Sequence, residues 1–220
     1  MYKNMLELLE ERENNGWKLE KFEIKQGNFR AMIDGIMPGK YIRLTHNGEC
    51  VMSDKKIRTM VTAAVLAALS CVATMVVQIP SPMNGFVNLG DCFVLLSGWL
   101  LGPWWGAAAG GIGSMLADLL LGYGHYAPGT LIIKGAMALV AALIFKAFKK
   151  NTAGALVGGV AAEVVMVAGY FGYAALLLGK GIGAAASIPG NLVQGAVGLV
   201  AGFLLLQVAR RTHLEEKVCV

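Results

Sequence analysis

The sequence predicts an all-α polytopic membrane protein of six transmembrane helices, preceded by a small α+β cytoplasmic N-terminal extension. Three observations carry that expectation. Of 220 residues, 56% are hydrophobic and only 15% charged, with a mean hydropathy of +0.59, whereas about a quarter of a soluble domain is charged. Most of the charges fall before Ile57 or after Ala209. Between those points, apolar runs recur at about the 20 residues that cross a bilayer at roughly 1.5 Å rise per residue. The chain is therefore read as a polar piece over 1–52 and a membrane domain over 53–220.

Within the first piece, residues 5–12 pattern as a short amphipathic helix through Leu6, Leu8 and Leu9. Residues 17–24 alternate apolar and charged positions, with one slip after Glu20, and read as a strand. Residues 29–33 and 41–44 give further strands, and Asn47-Gly48 is a hairpin signal leading into Cys50 and Val51. The segment IRLTHNGECV resembles the wing of a winged helix, but no recognition helix precedes it, so nucleic acid is not an expected partner. The opening MYKNMLELLEERENN is polar where the apolar core of a signal peptide would lie, so no signal peptide is expected.

The first membrane helix is placed at 59–79, stopping at Pro80 and Pro82. After the loop SPMNGFVNLG, Asp91 is positioned to cap a short second helix that ends near Gly102-Pro103. The third helix spans 104–122, the fourth 130–148, the fifth 152–178 and the sixth 184–208. Lys55, Lys56, Arg58, Lys146, Lys149, Lys150, Arg210 and Arg211 then share one side, which the positive-inside rule makes cytoplasmic. Both termini are expected there, in the plasma membrane of a prokaryote. Cys50, Cys71, Cys92 and Cys219 show no metal spacing and read as buried thiols. No metal site, cofactor motif or nucleophile–base set is evident, so neither a cofactor nor an enzyme activity is expected.

The informative residues are the polar ones kept inside the apolar runs, since an ionised group at a helix centre costs about 2.5–3.5 kcal/mol or more. Asp118 and Lys134 lie at matched depth, so an ion pair is expected, the competing reading being that Lys134 snorkels to the interface. Gly106, Gly110, Ser114 and Asp118 recur at steps of four, a stripe that suits close helix packing. Glu163, Met166, Tyr170 and Tyr173 share a face, and Glu163 reads equally as a ligand group or as a hydrogen bond to a neighbouring helix. Asn191 and Gln194 point the same way below Ser187-Ile-Pro-Gly190, as a pair of amides suited to a neutral heterocycle. Phe86, Tyr123, His125 and Tyr126 from the outer loops would complete a pocket for a flat ring. Trp99, Trp104 and Trp105 read as an interfacial aromatic belt. Ala63, Ala64, Ala67 and Ala68 offer a smooth surface for internal packing or for a partner protein.

The alanine motif, VNLGD, GPWWGAAAGGIGSMLADLL, YAPGTLIIKG and PGNLVQGAVG occur in this order, and with them residues 57–208 resemble the substrate-binding S components of energy-coupling factor (ECF) vitamin transporters. The strings look most like the branch associated with hydroxymethylpyrimidine or pyridoxine-type vitamers. The resemblance implies capture of a vitamin at the outer face, docking on a membrane coupling protein that bears two ATPase subunits, and inward release. It implies a docking surface at Ala63, Ala64, Ala67 and Ala68, and substrate contacts at Asn88, Asp118, Tyr126, Lys134, Asn191 and Gln194. The extension over 1–52 departs from the compact family pattern. Two competing classes are a self-sufficient secondary transporter or channel relaying protons through Glu163 or Asp118, and a membrane scaffold recruiting a partner. The first often carries inverted repeats, and no such symmetry is evident here.

Overall fold

The computed structural model describes residues 18–25, 28–34, 41–44, 50–52, 55–81 and 85–212. The chain divides into two compact units, Met1–Arg58 and Thr59–Val220. In the first, β1 (Lys18–Lys25), β2 (Asn28–Asp34), β3 (Tyr41–Leu44) and β4 (Cys50–Met52) form an antiparallel sheet in that order. The slip in alternation after Glu20 is a register shift between Leu19 and Lys21 in the β1–β2 pairing, the local device by which a strand absorbs one extra residue. The helix expected over 5–12 and the Asn47-Gly48 turn lie outside the described residues.

In the second unit, α1 (Lys55–Val76) starts earlier and stops earlier than the apolar run suggests. The reason lies just beyond it: β5 (Ile79–Ser81) pairs with β6 (Gly85–Val87), so Ile79 belongs to a hairpin rather than to the helix. There follow α2 (Gly90–Leu120), α3 (Ala127–Ala147), α4 (Thr152–Gly172) and α5 (Ile188–Arg211). A π turn over Tyr173–Leu177 and a 3₁₀ helix over Gly181–Ser187 link the last two. Among the described residues, five helical segments are long and apolar enough to cross a membrane.

The second and third expected helices are the two arms of α2. Its backbone leaves helical geometry only at Gly102, with φ 78° and ψ −173°, a region essentially reserved for glycine. Pro103 then opens the second arm, where a missing N–H costs nothing. The arms double back on each other. A Cβ added to Gly110 would lie 3.1 Å from Val94 Cγ1, yet a straight helix would separate those residues by roughly 24 Å. Ser97 Oγ lies 2.7 Å from Val94 O and 3.0 Å from Gly106 O, tying arm to arm.

The first arm is the core of the unit, with Val94 and Leu95 fully enclosed and Leu96, Leu100 and Leu101 also buried. Trp99 is 1% exposed and packs against Phe145, so it is a core residue and not part of an interfacial belt. Trp104 is 79% exposed. The stripe on the second arm packs as expected: Gly106 and Gly110 receive the first arm, and Ser114 lies 3.2 Å from Ser70 of α1. Small residues fill the contacts while Val61, Val65, Leu116, Ile132, Val164 and Leu204 point outward. That inversion suits a lipid surround, where close backbone approach rather than expulsion of water holds helices together.

Candidate functional site

Charged and amide side chains meet at the start of the first arm of α2. The backbone N–H of Gly90 donates to Asn88 Oδ1 at 2.9 Å, so Asn88 and not Asp91 satisfies the helix start. Asp91 is freed from capping and is fully enclosed. One of its oxygens pairs with Lys134 of α3. The other accepts a 2.8 Å hydrogen bond from Gln194 Nε2 of α5. Gln194 Oε1 in turn accepts from the backbone N–H of Asn88 at 3.0 Å and from its side chain at 3.3 Å. Thr74 of α1 lies at the margin, donating to Ser70 O at 2.8 Å and sitting 3.5 Å from Asn88 Oδ1. Three helices and the end of the hairpin thus converge on one carboxylate.

The expected Asp118–Lys134 ion pair is not formed. The fold-back at Gly102 brings the first arm inside the bundle, and Lys134 bonds the acid on that arm. Asp118 is buried on the second arm, 6% exposed and without an ion pair to Lys134. Both acids lie near the arm ends remote from Gly102, so depth alone does not choose between them. Asp91 is the site residue that sequence reasoning assigned to another task. Its position in an otherwise apolar arm carried the signal.

Above this network the aromatic side chains gather. Tyr126 has its ring centre 4.7 Å from His125, 6.1 Å from Tyr173 and 6.5 Å from Tyr170. Tyr123 stands 6.3 Å from His125. Tyr170 joins the layers: its hydroxyl is 3.0 Å from Thr130 Oγ1, and Lys134 Nζ lies 5.5 Å from its ring centre. Lys180 Nζ donates to Tyr126 Oη at 2.8 Å, and Tyr173 Oη donates to His125 O. Phe86 is placed by its backbone opposite Pro80 in the β5–β6 hairpin.

The remaining expected residues divide. Glu163 and Met166 face inward as a pair, at 8% and 0% exposure. Gln194 is enclosed in the network, whereas Asn191 lines a groove between α4 and α5, so the two amides do not share one environment. The alanines of α1 also split. Ala63 is buried and Ala67 backs onto the second arm, where a Cβ on Gly113 would fall 2.3 Å from Ala67 O. Ala64 and Ala68 face outward beside Val61, Val65 and Leu69. Cys71 and Cys92 are free thiols, the latter buried. Among the described residues no cluster could hold a metal ion.

A family model described as the ECF-type riboflavin transporter, S component, matches residues 54–211. An uncharacterized protein of Pyrococcus woesei is 40% identical over 132 residues, spanning 60% of this chain and 87% of that protein. The thiamine precursor transporter HmpT of Lactococcus lactis subsp. cremoris is 29% identical over 166 residues, spanning 74% of this chain and 95% of the relative. Among solved structures, the S component of a bacterial ECF transporter shares the fold with a TM-score of 0.59 at 24% identity, covering 72% of this chain and 98% of that one.

Proposed function

The chain belongs to the S components of ECF transporters, and from that premise we propose that it is the substrate-capture subunit of an ATP-driven vitamin importer. S components are transporter subunits rather than catalytic enzymes. The substrate proposed here is a small vitamin or precursor of the hydroxymethylpyrimidine or pyridoxine type. Similarity to a thiamine precursor transporter along nearly its whole length supports the pyrimidine end of that range.

The observation that carries the reading is the Lys134–Asp91–Gln194–Asn88 network beneath the Tyr123, His125, Tyr126 and Tyr170 cluster. Buried charges in an apolar bundle are costly and mark a functional site, and here Tyr170 joins them to the aromatic cluster. In the mechanism proposed, the aromatic rings stack the incoming heterocycle. The network holds Asn88 and Lys134 in place below it, Asp118 faces it from the second arm of α2, and Asn191 and Glu163 receive it from the side of the α4–α5 groove.

The two arms of α2 would bring the count to six membrane spans, with both termini cytoplasmic in a prokaryotic plasma membrane. Arg210 supports that polarity: its guanidinium donates to Lys150 O at 2.7 Å, bringing the basic α3–α4 link against the basic end of α5. There the subunit would meet the coupling protein and its two ATPases, with Ala64 and Ala68 as the outward contact on α1 and Ala63 and Ala67 holding that helix in register. Residues 1–52 would form a separate cytoplasmic extension.

The reading is tested by mass spectrometry of small molecules that co-purify with the detergent-solubilised protein, followed by thermal shifts against thiamine precursors, B6 vitamers and riboflavin. A stoichiometric heterocycle that raises Tm is expected, and Lys134→Ala or Asn191→Ala should abolish the shift while folded protein is still recovered. No retained ligand and no shift across the panel would overturn it.

A further inference from the structure

We infer that the α3–α4 link and the end of α5 together form a binding surface for an anionic phospholipid. Lys149, Lys150 and Arg211 would hold its phosphate diester, and outward apolar side chains beside them would carry its hydrocarbon. The inference is independent of which substrate the protein captures. Between residues 59 and 212 the acids are Asp91, Asp118 and Glu163, and all three are buried. Lys146, Lys149, Lys150 and Arg211 are exposed. The positive charge at this end is therefore not matched by acids of the same stretch.

The backbone shows that the two lysines are kept against a conformational preference. Lys149 and Lys150 have φ of 53° and 57°, two consecutive residues in the left-handed region. Glycine enters that region freely, an L side chain only at a cost. The turn itself is an ordinary helix stop. Lys150 N–H donates to Phe145 O at 2.8 Å and Lys149 N–H to Lys146 O at 3.0 Å, the two bonds of a Schellman end, where glycine is the usual residue. A turn suited to glycine holds lysine twice, so the charges serve something other than the turn.

Arg210 fixes the pair in place. Its guanidinium donates to Lys150 O at 2.7 Å and to Thr152 Oγ1 at 3.3 Å, and its Cζ lies 5.5 Å from the Phe145 ring centre. Arg210 thereby joins the end of α5 to the link and brings Arg211 to the same rim. Beside the rim, Phe148, Leu156, Val157, Leu204 and Val208 are exposed apolar side chains. Cations at the ends of membrane spans, with apolar surface next to them, fit an amphiphile better than an acidic protein surface, which brings charge without hydrocarbon. In the polarity proposed above, this is the cytoplasmic leaflet.

The test is native mass spectrometry of the full-length detergent-solubilised protein with equal amounts of dioleoylphosphatidylglycerol and dioleoylphosphatidylcholine. A basic residue near an anionic headgroup is worth about five-fold in binding, so two are worth about 25-fold. The unaltered protein should prefer phosphatidylglycerol by at least that factor, and the preference should weaken as salt is raised. Lys149→Gly with Lys150→Gly should remove about 25-fold of it, while Tm without added lipid stays equal or rises, because the left-handed strain is relieved. Lys149→Arg with Lys150→Arg should keep the preference. Arg211→Gln should lower it about five-fold and serves if the glycine variant fails to fold. Equal retention of the two lipids, or an undiminished preference in the glycine variant, would overturn the inference. A Tm increase from inorganic phosphate as large as that from phosphatidylglycerol would do so too, by marking a site for soluble anions. Loss of coupling-protein capture in the glycine variant, with its lipid preference intact, would make the patch a protein contact and equally overturn it.

Discussion

Lys134 shows how a single side chain is made tolerable inside an apolar bundle. Its ammonium meets Asp91, whose second oxygen is held by Gln194, so both oxygens of the acid have partners. Removing one member of such a pair leaves a buried charge behind, typically at a cost of about 3–5 kcal/mol, whereas replacing both with apolar groups is often neutral. Asp91→Ala and Lys134→Met should therefore each lower the melting temperature in detergent, and the double variant should recover most of the loss. Additive losses would show that the two side chains act separately. The residue scale is also where sequence reasoning was least complete. Lys134, Asn88 and Gln194 stand out in the sequence as polar groups in apolar surroundings. The choice of Asp91 over Asp118 depends on which arm of α2 lies inside, and no local pattern states that.

At the scale of elements, helix positions follow closely from apolar length and from Gly and Pro punctuation, as at Gly102-Pro103; the Asn151 cap of α4, which accepts from Gly154 N at 2.7 Å, is a structural addition. The departures have physical causes. The β5–β6 hairpin shortens α1, because main-chain pairing between Ile79 and Val87 competes with a further helical turn. The alanines of α1 look alike in sequence, yet their spacing sets Ala63 and Ala67 on one face and Ala64 and Ala68 on the next. Leu at 64 and 68 should spare substrate binding and stop ATP-driven uptake, because bulk on the outward face blocks close approach of a partner helix. Undiminished uptake in proteoliposomes with the complete transporter would remove the docking assignment. Leu at 63 or 67 should instead destabilise the subunit itself, through contact with the second arm of α2.

For the molecule as a whole, fold class was legible because hydrocarbon imposes so few solutions. Runs of apolar residues, basic clusters at their ends and glycine-rich contacts define a helical membrane unit before any contact is known. The doubled-back α2 was legible as two helices but not as a buried hairpin, since burial depends on what α3 and α5 bring around it. Topology is open to direct measurement in a cysteine-free background. Ile182→Cys, at a position 90% exposed in the native chain, should react with an impermeant maleimide from outside the cell. Trp104→Cys, just past the turn of α2, should react only after permeabilisation. Reaction of both from the same side would exclude a six-span arrangement.

The pairing of Asp91 also has a consequence for how the chain is made. Asp91 emerges from the ribosome well before Lys134 and 103 residues before Gln194. Over the 43 residues from Asp91 to Lys134 this carboxylate has neither of its eventual partners, over the next 60 it has Lys134 alone, and a first arm of about 18 Å is too short to settle alone across a bilayer of roughly 30 Å. Biogenesis must therefore hold the hairpin of α2 in a provisional state until the last helix arrives. A product truncated before α5 would pair Asp91 with Lys134 yet leave its second oxygen without the Gln194 amide that holds it in the finished site.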